Sequence, residues 1–241
     1  SDFLANMSHE LLTPLNFIVG FGSSLEDGLQ GPLNAAQQAT VGKMLAGADR
    51  LTRMVRNTLD YTQLQAGKLV VRPNAVDYAG MVRQVAVDAR LALDVRGQEL
   101  TLDVPTELPP VQADEHRLRQ VLDELLDNAS RFSPDGAVLR LTVLAGPDLV
   151  TTEVADPGEG IPAEALPLLF TPFYQVNSTR TRGHTGMGLG LAIAFHLVAK
   201  MKGSMLVSSQ PNVGTTIRFS LPRAVGVPEP EASRYNQGER S

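Results

Sequence analysis

A histidine close to the start of the chain could act as a nucleophile. Around His9, apolar residues recur at steps of three, four and seven, which predicts an amphipathic helix with His9 on the face opposite its apolar seam. A neutral imidazole is nucleophilic near pH 7, and the carboxylate of Glu10 can hold the proton of one ring nitrogen while the other attacks. Thr13 follows one helical turn later and can present its hydroxyl beside any group that His9 carries. The alternative is a solvated surface histidine, which is the ordinary state of a lone histidine on a helix.

A predicted helix in the middle of the chain, residues 117–132, combines candidate metal ligands with a cation. The amide oxygen of Asn128 is a hard ligand suited to Mg²⁺, an ion that usually keeps water and substrate phosphates as its other ligands. Glu124, one turn earlier, is a second candidate ligand. Arg131 would lie near a polyphosphate, and Phe132 could pack against a base. An ordinary amphipathic helix with an exposed Asn is the alternative.

Two glycine-rich segments have the composition of nucleotide-binding loops. Asp156 follows a predicted strand, and its carboxylate could accept a hydrogen bond from an exocyclic amino group such as adenine N6, while Gly158 and Gly160 let the backbone approach the ring. A later loop leads into a helix, so its N–H groups and the positive end of the helix dipole could bind phosphates. That loop contains Gly186, Gly188, Leu189 and Gly190. By themselves, both segments could also be an ordinary turn and a flexible hinge.

The segment SHELLTPLN, residues 8–16, resembles the H-box of sensor histidine kinases of two-component systems. The resemblance implies that His9 is the phosphoacceptor, that Glu10 is its acid/base partner, and that Thr13 positions water when the partner regulator is dephosphorylated. The family usually has Arg where this chain has Leu12, which leaves open how this face meets a phosphoryl group or the acidic pocket of a partner. We expect Leu12 to lie beside the outward face of the helix, away from its seam.

The other segments resemble, in this order, the boxes of the GHKL ATP-binding fold. The helix with Asn128 is similar to the N box, and the turn at Asp156 and the loop at Gly188 are similar to the first two glycine boxes. A strand start at Thr215 is similar to the third glycine box, and LLFTPFYQ, residues 168–175, resembles the F box. The resemblance implies that these segments bind ATP and Mg²⁺.

The resemblance also identifies residues 174–185 as a mobile ATP lid, from which Arg180 and Arg182 could reach the phosphates. Glu124 stands where the family often has Asn. The same Glu-to-Asn spacing occurs in the chaperone, gyrase and mismatch-repair members of the superfamily, where the Glu activates water, so an ATPase side activity is conceivable.

Two regions that differ in their hydrophobic pattern must position these residues. Residues 1–66 have the pattern of two helices with a break at residues 28–34. One such hairpin has too little core to be stable alone, so we expect a second copy to complete a four-helix bundle. Strands and helices then alternate, with a first strand expected in residues 68–76, which predicts an α/β sandwich. The predicted class is therefore α + α/β: a hairpin in a dimeric bundle (1–67), a GHKL (Bergerat) ATP-binding domain (68–223), and a disordered tail (224–241).

Composition excludes several classes of protein. The 21 Lys and Arg against 26 Asp and Glu give a net charge of −5, which argues against nucleic acid as a partner. The absence of cysteine excludes disulfides, thiol catalysis and Cys-ligated metal sites. No apolar stretch approaches the roughly 20 residues of a membrane span, and the first residues lack the layout of a signal peptide. We expect a cytoplasmic fragment that lacks an N-terminal sensor region.

The leading functional prediction is an ATP-dependent protein histidine autokinase. It would phosphorylate His9 as a homodimer and pass the phosphoryl group to an Asp of a response regulator receiver domain, with dephosphorylation of that regulator as an additional activity. Two alternatives remain open: an ATP-hydrolysing enzyme of the chaperone or gyrase type, and a scaffold that binds nucleotide and a regulator without transferring phosphate.

Overall fold

The computed structural model describes residues 2–176 and 187–224, with side chains from Glu10 onward. Contacts within the chain divide it into two units. The first comprises residues 1–70 together with residues 185–193, and the second comprises residues 71–184 and 194–241. None of the helices in the described residues combines the length and the apolarity that a membrane span requires.

The first unit contains a pair of long helices that pack against each other. Helix α1 spans Asp2–Glu26 and continues through Pro14, and helix α2 spans Ala35–Gln65. A capping box starts α2: the side chain of Asn34 accepts a hydrogen bond from the backbone N–H of Gln37, and the Gln37 side chain accepts one from the N–H of Asn34, both at 2.9 Å. These two bonds satisfy donors that would otherwise be unpaired, and they fix where the chain re-enters helix after residues 27–34.

The face of α1 that packs on α2 is not the predicted seam. Leu15 is only 6% exposed, and a Cβ on Gly22, seven residues later, would meet the side chain of Leu45 in α2. By contrast, the seam residues Leu11, Ile18 and Phe21 are 47%, 43% and 65% exposed in the single chain.

Leu12 is half-buried and lies three residues before Leu15, on the line that faces α2. This partial burial exceeds what was expected of a residue beside the outward face of the helix.

The second unit is built on a mixed sheet. Its strands are β1 (Asn74–Val76), β2 (Glu99–Asp103), β3 (Val111–Ala113), β4 (Val138–Ala145), β5 (Leu149–Asp156), β6 (Ser204–Gln210) and β7 (Gly214–Pro222). Helix α3 spans Tyr78–Asp94 and α4 spans Glu115–Phe132, and a 3₁₀ turn spans Leu166–Leu168. Helix α5 spans Gly190–Lys200, and its residues up to Ile193 are counted with the first unit. The main sheet has the order β2-β4-β5-β7-β6, in which only β2 and β4 are parallel, while β1 and β3 form a separate antiparallel pair.

One face of the main sheet forms the core of this unit. Alternate residues of its central strands are buried, among them Leu139, Leu141, Val150, Val154, Ile217 and Phe219. The apolar stripe of α4, which includes Leu118, Leu122 and Leu125, is also fully buried. The other face carries polar side chains such as the ion pair between Arg218 and Glu153. This arrangement is the two-layer α/β sandwich that the alternating pattern predicts.

The expected first strand is much shorter in the structure. Its pairing begins only at Asn74, after Pro73, which has no N–H to donate. Before that point the backbone N–H of Arg72 donates to the Asp114 side chain at 2.9 Å and not to a neighbouring strand. The partner of the short strand is β3, which ends directly before Asp114, the N-cap of α4.

Candidate nucleotide-binding and phosphoacceptor sites

Helix α4 places the predicted metal ligands on its polar face. Asp114 caps the helix by accepting a hydrogen bond from the N–H of Arg117 at 3.2 Å. The buried stripe then fixes the rotation of the helix, so that Glu124 and Asn128 lie one turn apart and half-buried on another face. A carboxylate and an amide oxygen at this spacing form a hard-oxygen donor set that fits Mg²⁺ when phosphate and water complete the coordination.

The C-terminal end of α4 is held by two side chains that the sequence reasoning missed. Gln98, 2% exposed, donates to the carbonyl oxygens of Ser130 and Pro134 at 3.0 and 2.9 Å, and accepts from the Ser130 hydroxyl at 2.6 Å. The guanidinium of Arg96 donates to the carbonyl oxygen of Ser133 at 3.0 Å. These bonds satisfy carbonyls that a helix end leaves without partners, and they fix the last turn, which carries the predicted phosphate and base contacts.

Arg131 is engaged in an ion pair within that last turn. Its guanidinium contacts the carboxylate of Asp127, one turn earlier, and about a third of each side chain is exposed. Phe132, the next residue, has 42% of its surface exposed. The carboxylate of Asp127 therefore partly neutralises the positive charge of Arg131, the predicted phosphate ligand. The sequence analysis did not identify this ion pair.

Asp156 is the last residue of β5 and lies at the edge of the sheet core. Its Oδ1 accepts a hydrogen bond from the N–H of Gly158 at 2.9 Å, and the N–H of Thr215 also donates to the carboxylate. Burial raises the pKa of Asp156 above its ordinary value, and the two backbone N–H groups only partly oppose that shift. The carboxylate is thus an oriented and partly desolvated hydrogen-bond acceptor.

The glycines after Asp156 allow two backbone segments to pack directly on each other. A Cβ on Gly158 would overlap the carbonyl oxygen of Phe132, and one on Gly160 would lie 2.6 Å from the carbonyl carbon of Gln210. The N–H of Asn212 in turn donates to the carbonyl oxygen of Glu159 at 2.7 Å. The structure therefore brings together the C-terminus of α4, the turn at residues 157–160, and the β6–β7 turn.

Thr215 lies beside Asp156 on the next strand. The two residues are register partners in the antiparallel pair of β5 and β7, and Thr215 is 9% exposed. The predicted third glycine box thus adjoins the predicted adenine acceptor.

The second glycine-rich loop is described from residue 187. Gly188 has a φ of +68°, Leu189 is 1% exposed, and α5 begins at Gly190 with a hydrogen bond from the N–H of Ile193 to the carbonyl oxygen of Leu189. The first N–H groups of the helix remain for a ligand, as at other helix N-termini that bind phosphate. The predicted phosphate contacts Gly186, Arg180 and Arg182 lie outside the described residues, as does most of the predicted lid.

The predicted phosphoacceptor segment lies on α1. His9 is part of that helix, but its side chain lies outside the described residues, whereas Glu10 and Thr13 are both exposed. Within residues 10–176 and 187–224, no group of three or more His, Asp and Glu side chains has the arrangement of a metal site.

Comparison with known proteins finds two family models that match different parts of the chain. Residues 1–67 match the model of the His Kinase A (phospho-acceptor) domain, and residues 113–225 match that of the histidine kinase-, DNA gyrase B- and HSP90-like ATPase. The autoinducer 2 sensor kinase/phosphatase LuxQ of Vibrio cholerae is 34% identical over 226 residues, and the signal transduction histidine-protein kinase BarA of Escherichia coli is 33% identical over 226 residues. This chain is a histidine kinase transmitter core.

The transmitter core is also similar in structure to the full-length protein ShkA. The crystal structure of ShkA in complex with AMPPNP matches with a TM-score of 0.69 and 32% sequence identity, over 93% of this chain and 47% of that one. LuxQ and BarA are each matched over 92% of the transmitter core, which spans only 26% and 24% of their respective lengths. The ATPase match makes residues 113–225 an ATP-binding domain, in agreement with the predicted nucleotide.

Proposed function

We propose that this transmitter core autophosphorylates His9 with the γ-phosphoryl group of ATP and then passes that group to an Asp of a receiver domain. In the first step the unprotonated ring nitrogen of His9 attacks the γ-phosphorus, an N–P bond forms, and the bond to the β-phosphate oxygen breaks to release ADP. Glu10 follows His9 directly and is exposed, so its carboxylate can hold the proton of the other ring nitrogen. The second step returns the imidazole to its starting state. Since ATP and receiver domains are found in the cytoplasm, we assign the reaction to that compartment.

The observation that carries this proposal is the occurrence of both matches in one chain. A phosphoacceptor domain supplies a helix with His9, and an ATP-binding domain supplies Asp156 as an oriented acceptor. The ATPase alternative accounts for the second domain but not for the first. The exposed Glu10 and Thr13 on α1 further support a reaction on that helix.

The nucleotide is proposed to bind by its two ends to different features of the ATP-binding domain. At the adenine end, Asp156 is proposed to accept a hydrogen bond from the N6 amino group beside Thr215. Gly158 and Gly160 are proposed to shape this end indirectly, because they let the turn pack on the backbone of Phe132 and Gln210. Phe132 offers an exposed ring face for packing against the base.

At the phosphate end, Arg131 and the loop of Gly186, Gly188, Leu189 and Gly190 are proposed to hold the polyphosphate, together with Arg182. Asn128 would hold Mg²⁺, with Glu124 as its second ligand. The ion supplies neutralisation of phosphate charge when it is bound. Protein groups and the ion thus share the charge that develops during transfer.

A homodimer is proposed as the working state. Exposed apolar side chains on both helices of the hairpin, including Leu11, Ile18, Phe21, Met44 and Leu51, remain uncovered in the single chain. A second copy would bury them in a four-helix bundle. Because the similar LuxQ is named a kinase/phosphatase, we also propose that Thr13 helps to orient water for dephosphorylation of the regulator.

Incubation with γ-labelled ATP separates the proposed function from its alternatives. We expect acid-labile, alkali-stable label on the parent protein and none on His9→Gln. His9→Gln should retain the ATP affinity of the parent, because binding and the nucleophile belong to different domains. Asn128→Ala should lose magnesium-dependent ATP binding and, with it, the label.

Other outcomes would contradict the assignment. Label of unchanged yield on His9→Gln would refute His9 as the nucleophile. Release of free phosphate without labelled protein would support the ATPase alternative. ATP binding with neither product would support the scaffold.

A further inference from the structure

Three polar side chains form a row across the end of the sheet, next to the proposed adenine site. Thr215 of β7 is the register partner of Asp156 in β5 on one side and of Ser209 in β6 on the other. Register partners in antiparallel strands project from the same face of a sheet. The next row inward, Val154 and Ile217, belongs to the buried core. Ser209 thus extends the line of Asp156 and Thr215, although no sequence motif singled it out.

The hydroxyl of Ser209 has three polar neighbours within hydrogen-bond distance. It accepts a hydrogen bond from the N–H of Ile161 at 2.8 Å and donates to the carbonyl oxygen of Gly214 at 2.8 Å. Its oxygen also lies 2.9 Å from Oγ1 of Thr215. Ser209 therefore links the end of the turn that follows Asp156 to the start of β7.

The number of protons in this cluster determines which way the Thr215 hydroxyl points. A serine hydroxyl has one proton and two lone pairs. We assign the proton of Ser209 to the carbonyl oxygen of Gly214, because a carbonyl can only accept, and one lone pair of Ser209 is occupied by the N–H of Ile161. The second lone pair then accepts the proton of Thr215. As a result, Oγ1 of Thr215 has only lone pairs left for other neighbours.

We propose that Ser209 is a positioning residue that makes the adenine end of the site selective for purines with an amino group at C6. With Ser209 in place, both Asp156 and Thr215 present acceptors, which match an amino group and repel a carbonyl oxygen at C6. This inference rests on the proposed function, in which Asp156 contacts the base. Without Ser209, the Thr215 hydroxyl can rotate and donate, so a 6-oxo purine becomes better tolerated.

Binding of ATP and ITP by the whole chain tests this role, because the base of ITP has a carbonyl oxygen at C6 and a proton on N1 where the base of ATP has an amino group and an unprotonated nitrogen. In Ser209→Ala, the ratio of the ITP to the ATP dissociation constant should fall roughly five- to tenfold, the range of one hydrogen bond. Ser209→Thr keeps the hydroxyl and should restore most of the ratio. Ser208→Ala is the matched control, since Ser208 is exposed on the opposite face of the same strand and should leave the ratio unchanged.

A double-mutant cycle distinguishes positioning from a general structural effect. Thr215→Val should also lower the ratio of the ITP to the ATP dissociation constant. The double variant Ser209→Ala/Thr215→Val should have nearly the same ratio as Thr215→Val alone, because both changes remove the same acceptor. A role in stability alone would lower the melting temperature and weaken both nucleotides equally, with no change in their ratio.

Several results would overturn the inference. An unchanged ratio in Ser209→Ala would refute the role of Ser209 while leaving the kinase proposal intact. If Ser209→Ala does not fold, an unchanged ratio in Thr215→Val would refute it in the same way. A parent protein that binds neither nucleotide would instead refute the proposed function and this inference with it.

Discussion

Gly160 and Gly136 provide a matched pair for testing whether the two backbone segments beside Asp156 must remain in contact. Both glycines adopt the left-handed conformation, with φ of +66° and +77°. An alanine in this conformation costs roughly 1–2 kcal/mol wherever it occurs. A Cβ on Gly136 would meet nothing within 4 Å, whereas one on Gly160 would overlap the carbonyl oxygen of Gln210 and lie 2.9 Å from Cα of Pro211.

The two alanine variants should therefore differ in both stability and ATP binding. Gly136→Ala should lower the free energy of unfolding by roughly 1–2 kcal/mol and leave the ATP dissociation constant unchanged. Gly160→Ala should add an overpacking cost of about 1–3 kcal/mol, because its neighbours are backbone atoms that can yield only if the β6–β7 turn moves. If about half of that cost is relieved by displacing the turn from Asp156 and Thr215, ATP binding should weaken roughly two- to tenfold.

Urea unfolding and titration calorimetry measure these two quantities on the same samples. Equal ATP affinities for Gly160→Ala and Gly136→Ala would refute the idea that this backbone contact shapes the adenine site. Equal unfolding free energies would refute the steric argument itself.

Four further results are expected. Burial raises the pKa of Asp156, so its ionisation destabilises the folded state at pH values above the ordinary carboxyl pKa of roughly 3.9. Without nucleotide, Asp156→Asn should therefore have a higher melting temperature than the parent near neutral pH, and the difference should disappear as the pH falls below that value. The same variant should bind ATP more weakly. Asp127→Asn should release Arg131 from its ion pair and strengthen ATP binding a few-fold at low salt, and this gain should fade as the salt concentration rises. The control Asp123→Asn breaks the pair with Arg119 at 3.7 Å and should leave ATP binding unchanged, so equal effects of the two variants in calorimetry would contradict the role of Asp127. Leu12→Arg should lower the melting temperature, because a guanidinium replaces a half-buried side chain, even if it raises transfer to a regulator in a phosphotransfer assay. Light scattering should give a dimer mass for the parent and a monomer mass for Phe21→Asp, and a parent monomer at micromolar concentration would contradict the bundle.

The parts of the fold that were predictable are those whose signal is local. The stripe of α4 repeats within 18 residues and shows both the helix and its polar face. The alternation of β7 likewise predicts its buried residues Ile217, Phe219 and Leu221. The strand β3 is only three residues long, and its partner β1 lies 39 residues away in the register of Asn74 with Ala113. Such a short pair has too little periodicity to be predicted from sequence.

The unexpected burial of Leu12 has a similar cause. Helix α1 carries two apolar lines, one with Leu11 and Ile18 and the other with Leu12 and Leu15. Both lines have helical spacing, so periodicity shows that two surfaces are apolar but not which one packs on α2. Only the three-dimensional packing assigns Leu15 to α2 and leaves Leu11 exposed.

Residues that act on the site through other residues could not be identified from their own surroundings in the sequence. Gln98 holds the end of α4 through contacts with a segment more than 30 residues away, and Ser209 meets Ile161 across 48 residues of chain. Both are common polar residues without a distinctive spacing. Their importance comes from the atoms that they meet.

The adenine end of the site illustrates why such residues matter for recognition. A carboxylate at position 156 is costly in the folded state, as the raised pKa shows, and a neutral side chain there would fold with less penalty. What the carboxylate offers is an acceptor whose direction is set by two backbone N–H groups before any ligand arrives. A pre-set acceptor discriminates only if its neighbours cannot rotate to offer a donor instead. Thr215 is the neighbour that could do so, and the Ser209 hydroxyl is the group that takes up its proton. The selectivity that we propose for this site would therefore depend on residues of three strands and not on Asp156 alone.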